Sequence, residues 1–456
     1  MTPLEASFSV LRNAADSDPD PDARRREDWL RAVETALARR REALVEAVDA
    51  DFGGRLRHET LLAELYVTLD SFRQARRHLR RWMKPRRRHA PLTLGLGSAW
   101  VQPQPLGVIG VMSPWNYPVM LALTPLAGAL AAGNRVLLKP AEATPRTAGV
   151  IAELVEEAVG AEVAAVLCGD AELGAAFAAR PFDHLLFTGS TRVGRLVARS
   201  AAETLTPVTL ELGGKSPALI LADTDIAGTA ADIAFGKFTN AGQTCIAPDY
   251  VLVPRDRLEV FTAELRKSVT TYFGTAMTSI FGGQAKRLQA LLDEARARGV
   301  RIEELGPTLP ALGCGPCALI DPPPDIGVSR EEIFGPLLPV LPYESLDQAL
   351  GHIRAGDHPL ALYLFGRDKA TISRALKQTR SGAAVINDSL IHAAIDDLPF
   401  GGVGASGMGR YRGKDGFDRF SNMKAVFERR GPRLDRLARP PATSLHETVL
   451  RWLIGK

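Results

Sequence analysis

Four cysteines in 456 residues are too few for a disulfide framework, and their scarcity points to a reducing compartment. No apolar run approaches the roughly 18 residues that a membrane-spanning helix needs. The opening Met1-Thr-Pro-Leu-Glu-Ala-Ser has no basic region followed by an apolar core, so no secretory signal is expected. Charge of one sign is also scarce. The formal net charge is +4, small for this length, and it implies no obligatory polyanion partner. What is present is ordinary globular composition, 46% hydrophobic and 24% charged, long enough for two or three domains. A cytoplasmic protein is expected.

Residues 1–25 are polar and rich in Pro and Asp, and read as loosely ordered. Trp29, Leu30, Val33, Leu37, Leu44, Val45 and Val48 then recur at helical spacing, and a second helical pattern runs from about Glu59 to Trp82. The basic run from Ala75 to His89 invites a nucleic-acid reading. Trp82 is its only aromatic residue apart from histidine, so it offers no stacking platform. A solvated helix end, where positive charge suits the helix dipole, accounts for it better.

From Leu92 to Gln104 the pattern is extended, with Gly95 and Gly97 marking a bend. Short apolar strands at Leu106–Met112, Arg135–Leu138, Val163–Leu167 and His184–Phe187 alternate with helical segments. That alternation predicts a parallel sheet with helices on both faces, whose ligands bind at the carboxyl ends of the strands. Gly189 and Gly194 bracket a turn that opens a helix, a setting suited to a pyrophosphate. Their G-x-x-x-x-G spacing matches neither the usual dinucleotide fingerprint nor a P-loop.

Asn240-Ala-Gly-Gln-Thr-Cys245 places a thiol after a small, polar loop rather than among core residues, the setting of a nucleophile. Gly242 is read there as a point where bare backbone approaches a ligand. Glu211, 34 residues upstream, is the candidate base. Farther on, Tyr250–Pro254 reads as a strand, and Leu258–Val269 and Lys286–Arg298 as helices. Cys314-Gly-Pro-Cys317 has the string of a redox motif, but Pro322-Pro-Pro324 stands where such a motif needs a helix, and no second ligand pair supports zinc. Leu398–Gly409 holds five glycines and reads as loop; Phe400 and Val403 argue against a solvent linker. The tail, Ser444–Lys456, is short and amphipathic, fit to dock on the body, on a partner subunit or on a membrane surface.

Seven stretches stand out together: Pro114-Trp-Asn-Tyr-Pro118, Leu138-Lys-Pro-Ala-Glu142, Phe187-Thr-Gly-Ser190, Glu211-Leu-Gly-Gly-Lys215, Gly242-Gln-Thr-Cys245, Glu332-Ile-Phe-Gly-Pro336 and Pro399-Phe-Gly-Gly402. In these motifs and their order, over about residues 30–430, the chain resembles the NAD(P)-dependent aldehyde dehydrogenases. Ala50-Asp-Phe-Gly53, Ala75–Met83, Pro181–Phe187 and Asp396–Gly402 are most similar to the coniferyl aldehyde dehydrogenase group, within the short, dimeric class.

The resemblance implies an α/β fold: a Rossmann-like cofactor domain (1–90 and 106–212), an α/β catalytic domain (213–417), and a small β oligomerisation arm with the tail (91–105 and 418–456). It implies oxidation of an aldehyde, aromatic and coniferyl-like, with NAD or NADP as acceptor, no metal, and a homodimer. Cys245 would attack the carbonyl, the Asn116 amide and the Cys245 N–H would hold the oxyanion, and Glu211 would activate water. Lys139 and Glu142 would hold the adenosine ribose, with Glu142 favouring NAD. Gly189, Ser190 and Gly194 would face the pyrophosphate. Glu332 would bind the nicotinamide ribose with Phe334 beside the ring, and Trp115, Leu212 and Gly213 would complete the cofactor site. The stretch Tyr272–Gln284 looks shortened, and Phe281-Gly-Gly283 departs from the family pattern. Medium-chain aliphatic aldehydes, a cofactor-free thiol esterase and a non-catalytic binding protein are the rival readings.

Overall fold

The computed structural model describes residues 1–91, 97–430, 440–441 and 443–455; Leu92, Gly95 and Lys456, which figure in the expectations above, lie outside them. The first feature departs from expectation. Pro3–Ser17 is a helix, not a loose segment. Thr2 and Glu5 form a reciprocal capping box at its start, with Pro3 at the first position, which satisfies otherwise orphaned N–H groups. Leu4, Leu11 and Ala15 are buried and Phe8 packs with them, an apolar stripe that Pro and Asp farther along the segment had masked.

Two amphipathic helices follow, Ala23–Arg39 and Arg41–Phe52. The next helical stretch begins at Arg57–Glu59, widens into a π-helix at Thr60–Tyr66 and runs on to Trp82. The basic run then divides. Arg73 and Arg80 pair with Glu34 and Glu27 on the helix surface, whereas Arg86–Arg88 is strand β1. β1 pairs antiparallel with β2 (Gly97–Pro105), and Arg86 is ion-paired with Asp418.

Strands β3 (Val108–Met112), β4 (Arg135–Lys139), β5 (Ala164–Val166), β6 (His184–Thr188) and β7 (Val208–Glu211) form a parallel sheet. All five residues of β3 are buried, as expected of a strand covered on both faces by helices. The sheet order runs 7-6-3-4-5, so the chain reverses direction beside β3. That is the place where a ligand crevice opens at the strand ends.

A second sheet contains β8 (Pro217–Ile220), β9 (Tyr250–Pro254), β10 (Arg301–Glu304), β11 (Cys317–Ile320), β12 (Leu337–Tyr343), β13 (Ala361–Phe365) and β14 (Ala383–Ile386). Its order is 10-11-12-9-8-13-14, and only β10 is antiparallel to its neighbour.

The glycine-rich stretch is not wholly loop. Gly407–Met408 is a short strand, β15, paired antiparallel with β7. A residue pair from the range expected to belong to the second unit thus completes the edge of the first sheet. The glycines are packed backbone: a Cβ on Gly402 would lie 2.0 Å from the Ser406 carbonyl oxygen. Finally β16 (Ser421–Arg429) pairs with β2 and completes a three-stranded arm. The tail forms the helix Ser444–Ile454, which buries none of its residues.

Candidate active site

The cavity that gathers the expected residues has a volume of about 890 Å³ and opens at the carboxyl ends of β3, β4, β6 and β7. Trp115, Asn116, Lys139, Glu142, Gly189, Ser190, Glu211, Leu212, Gly213, Cys245, Glu332 and Phe334 all line it. Gly194 does not. It lies inside the helix Thr191–Ala202, and its N–H is already bonded to the Ser190 carbonyl at 2.9 Å. A Cβ there would meet Leu212 at 2.5 Å, so Gly194 lets the helix sit close to the sheet and has no free donor for a phosphate. Ser190 is the N-cap of that helix and accepts from Val193 N–H. The first turn, at Ser190 and Arg192, borders the cavity, presenting the positive end of the helix dipole.

Cys245 is held by a strained loop. Asn240 and Ala241 have φ of 53° and 52°, and Gly242 follows at 75°. Three left-handed residues in a row persist only where the surroundings over-determine them. Here a Cβ on Gly242 would sit 2.4 Å from the Gly335 carbonyl oxygen. The close approach expected at Gly242 is therefore to the protein's own backbone, not to a ligand. The Asn240 N–H donates to both Glu59 carboxylate oxygens at 3.2 and 3.1 Å. Gln243 Nε2 donates to Ser279 O at 3.1 Å, and Phe281 N–H donates back to Gln243 Oε1 at 2.7 Å. The Tyr272–Gln284 stretch is thus a brace for the nucleophile loop. Phe281 stacks on Trp115, with centroids 4.5 Å apart, and Trp115 meets Phe334 edge-on at 5.6 Å.

Sequence reasoning missed the buried support below Asn116. Asn116 Nδ2 donates to Gln243 O at 3.1 Å. The Asn116 carbonyl accepts from Arg55 Nη1 at 2.8 Å and from Asn240 Nδ2 at 3.0 Å. Arg55 lies 3.3 Å from Glu64, both side chains fully buried. Glu64 also accepts from the N–H groups of Val119 and Met120, the start of the helix Met120–Ala131. Charged residues recurring on the inward face of the first helices were the available signal. Gln284 and Arg287 also line the cavity, and Arg287 holds the carbonyls of Glu332 and Ile333.

The electrostatics follow from burial. The Cys245 thiol is pushed up to about 12 by burial and then by Glu332 and Glu211, against the stabilising N–H groups of Cys245 and Ile246. Glu211 is buried with neither carboxylate oxygen bonded within the protein. Burial lifts it well above the ordinary carboxylate range, although Arg412 and Arg410 oppose this. Glu332 is raised to about 8 by burial and by Asp249. Its carboxylate fits over Gly213, where a Cβ would lie 1.9 Å from Oε2. A carboxyl held near 8, as Glu332 is, can trade protons at ordinary pH. At the other end Lys139 Nζ meets Glu142 at 3.1 Å.

The donor set fits a dinucleotide. A helix N-terminus borders the cavity, an orphaned Glu332 Oε1 faces no protein partner, and a lysine–carboxylate pair stands ready for ribose hydroxyls. Among the described residues no cluster of three or more His, Cys, Asp or Glu is arranged to hold a metal.

Comparison with known proteins agrees with this chemistry. Residues 9–426 match the model of the aldehyde dehydrogenase family. A probable coniferyl aldehyde dehydrogenase of Pseudomonas aeruginosa is 47% identical over 99% of this chain and 96% of its own length. The structure of Staphylococcus aureus AldH in a substrate-bound state superposes with a TM-score of 0.94 at 35% identity, covering 99% of this chain and all of that one. A Mycobacterium tuberculosis aldehyde dehydrogenase complexed with NAD+ superposes with a TM-score of 0.84 at 28% identity, covering 94% of this chain and 90% of that one.

Proposed function

The chain belongs to the aldehyde dehydrogenase family, and from that premise we propose that it oxidises an aromatic aldehyde of the coniferyl type to its carboxylic acid with NAD as acceptor. The single observation that carries the reading is the common cavity: the Cys245 thiol, the unpartnered Glu211 carboxyl and the Asn116 amide share it with the candidate dinucleotide residues. The relative from P. aeruginosa supports the substrate class.

In this reading Cys245 Sγ adds to the aldehyde carbonyl as its proton leaves for Glu211. The alkoxide of the resulting thiohemiacetal is held by Asn116 Nδ2 and the Cys245 N–H. A nicotinamide bound beside Phe334 would supply the hydride acceptor. Glu332 over Gly213 and Phe334 against Trp115 orient that end of the cavity. Glu211 releases that proton to solvent and, as carboxylate again, takes a proton from the water that hydrolyses the Cys245 thioester. Lys139 and Glu142 would hold the adenosine ribose, and the exposed Glu142 carboxylate would disfavour a 2′-phosphate.

We further propose the three-unit division of the chain, with β15 joined to the cofactor sheet, and a homodimer joined through the arm, in which β16 is an edge strand among the described residues. A reducing cytoplasmic setting suits four free cysteines. No helix among the described residues is long and apolar enough to cross a membrane.

The test is an aldehyde panel with each cofactor, following reduced nicotinamide by absorbance, with Cys245→Ser as control. Coniferyl aldehyde should outperform aliphatic aldehydes. Aliphatic substrates better by roughly tenfold, about 1.4 kcal/mol, would remove the substrate class. Undiminished turnover in Cys245→Ser would remove the mechanism.

A further inference from the structure

Cys314 and Cys317 lie side by side outside the active-site cavity. Their sulfurs are 3.9 Å apart and the Cys317 S–H also points at Gly315 O, 3.1 Å away. Both thiols are free and buried. Two further groups address the pair. Glu304 accepts from Gly315 N–H at 3.1 Å and so fixes the intervening turn. Arg296, on the helix Gly282–Ala297, adds positive charge and a hydrogen bond at Cys314, and the Cys317 S–H donates to the same sulfur. The hydrogen bond from Cys317, helped by Arg296, lowers the Cys314 thiol against burial and Glu304, while the same bond, burial and Glu304 raise that of Cys317 against Arg296. One sulfur is therefore the better thiolate and the other the better reserve thiol, the asymmetry that makes a dithiol reactive.

The pair is thinly covered. It closes the turn Leu309–Cys314, tied by Leu309 N–H to Cys314 O at 2.8 Å, with Pro310, Ala311 and Gly313 exposed. The turn sits between β10, the sheet's edge strand, and β11. Edges of this kind open locally without global unfolding. The pair also lies one hydrogen bond from the nicotinamide end of the cavity. Cys317 N–H donates to Pro336 O at 3.0 Å, and Pro336 follows Gly335, the residue packed on Gly242 of the nucleophile loop. Arg296 shares its helix with Arg287, which holds Glu332 and Ile333.

We propose that Cys314 and Cys317 are a redox modification site, a dithiol that hydroperoxides convert reversibly to a disulfide, and that closure of the bridge weakens the cofactor end of the cavity. The Cys314 thiolate attacks the terminal oxygen of the hydroperoxide and the O–O bond breaks. The alcohol leaves with a proton, and Cys314 becomes a sulfenic acid. Cys317 then attacks that sulfur, the S–S bond forms, the S–O bond breaks, and water leaves with the remaining proton. Two thiols lose two electrons in total, and one hydroperoxide becomes one alcohol and one water. The site differs from a thioredoxin-type motif, because Cys317 opens a strand and no helix N-terminus follows.

The test uses the full chain treated with cumene hydroperoxide, then denatured, alkylated without reduction and digested with trypsin. The peptide from Ile302 to Arg330 holds both cysteines and no other. It should appear unalkylated and two mass units lighter, and revert with dithiothreitol. KM for NAD should rise by roughly fivefold, the low end of coupling between sites, and Cys317→Ser should make that KM insensitive to peroxide. A fully alkylated peptide at a dose that oxidises the exposed Cys168 overturns the site. A bridge that forms with KM unchanged overturns its link to the cavity. The mass readout needs neither turnover nor the variant, so it stands if the variant misfolds or the substrate assignment fails.

Discussion

Glu332→Gln is the substitution whose outcome is most tightly constrained by the structure. The carboxyl is raised to about 8 because it is buried and lies near Asp249, against the help of Gly214 N–H, Lys215 and Arg287. In the unfolded chain a glutamate titrates near 4.3. Between those two values the folded protein retains a proton that the unfolded chain has released. The unfolded state then binds fewer protons, so stability falls as pH rises, by about 1.4 kcal/mol per pH unit. Glu332's contribution is full below the unfolded value and lost as pH climbs toward the folded one. The side chain is not sealed from the cavity, so water there discounts the effect to on the order of 3 kcal/mol between about pH 5 and pH 8.

The glutamine has no proton to lose, keeps an oxygen for Gly214 N–H, and fits over Gly213. A chain of 456 residues has an unfolding entropy of about 1 kcal/mol/K. Apparent melting temperatures of the cofactor-free protein, measured at one scan rate and ionic strength, should therefore diverge. The variant should gain about 3 °C on the unaltered protein between about pH 5 and pH 8, while its affinity for NAD falls. Parallel profiles for the two proteins would refute the claim that this carboxyl is held protonated by burial.

Two further substitutions probe the nucleophile loop and the oxyanion donor. Gly242→Ala places a methyl 2.4 Å from the Gly335 carbonyl at φ 75°. It should cost about 1–3 kcal/mol in denaturant unfolding and more in kcat than in KM; an unchanged midpoint and kcat would mean the loop is not held where it stands. Asn116→Ala removes the amide beside Cys245 and should lower kcat by roughly 10² to 10³, read by steady-state kinetics. A loss confined to KM would assign the residue to substrate binding instead.

Much of the first sheet was legible because β3, β4, β5 and β6 are short, largely apolar runs, and a run of that kind has few other ways to bury itself. β3, β4 and β6 lie within a residue or two of where the pattern put them. The candidate site was legible at the level of residue type: a cysteine after a polar loop, a glutamate in Glu211-Leu-Gly-Gly-Lys215, an asparagine in Pro114-Trp-Asn-Tyr-Pro118. Local composition misled at Pro3–Ser17, where charge and proline hid an apolar stripe. It misled again at Gly407–Met408, where glycine abundance hid two residues of strand.

What the sequence determined by itself was the chemistry on offer and the order in which it arrives, because nucleophile, carboxyls and amide are properties of side chains. Which atoms meet was decided only in three dimensions. Gly194 serves packing and not a phosphate because its N–H is spent within its helix. Glu59 reaches from the N-terminal region to hold a loop 181 residues away, while Arg55, paired with Glu64, supports Asn116 from 61 residues away, and no local pattern encodes contact across those distances. The raised Glu211 and Glu332 carboxyls depend on burial that many separate segments create together. Proximity and solvent exclusion are collective, so they appear only once the chain has folded.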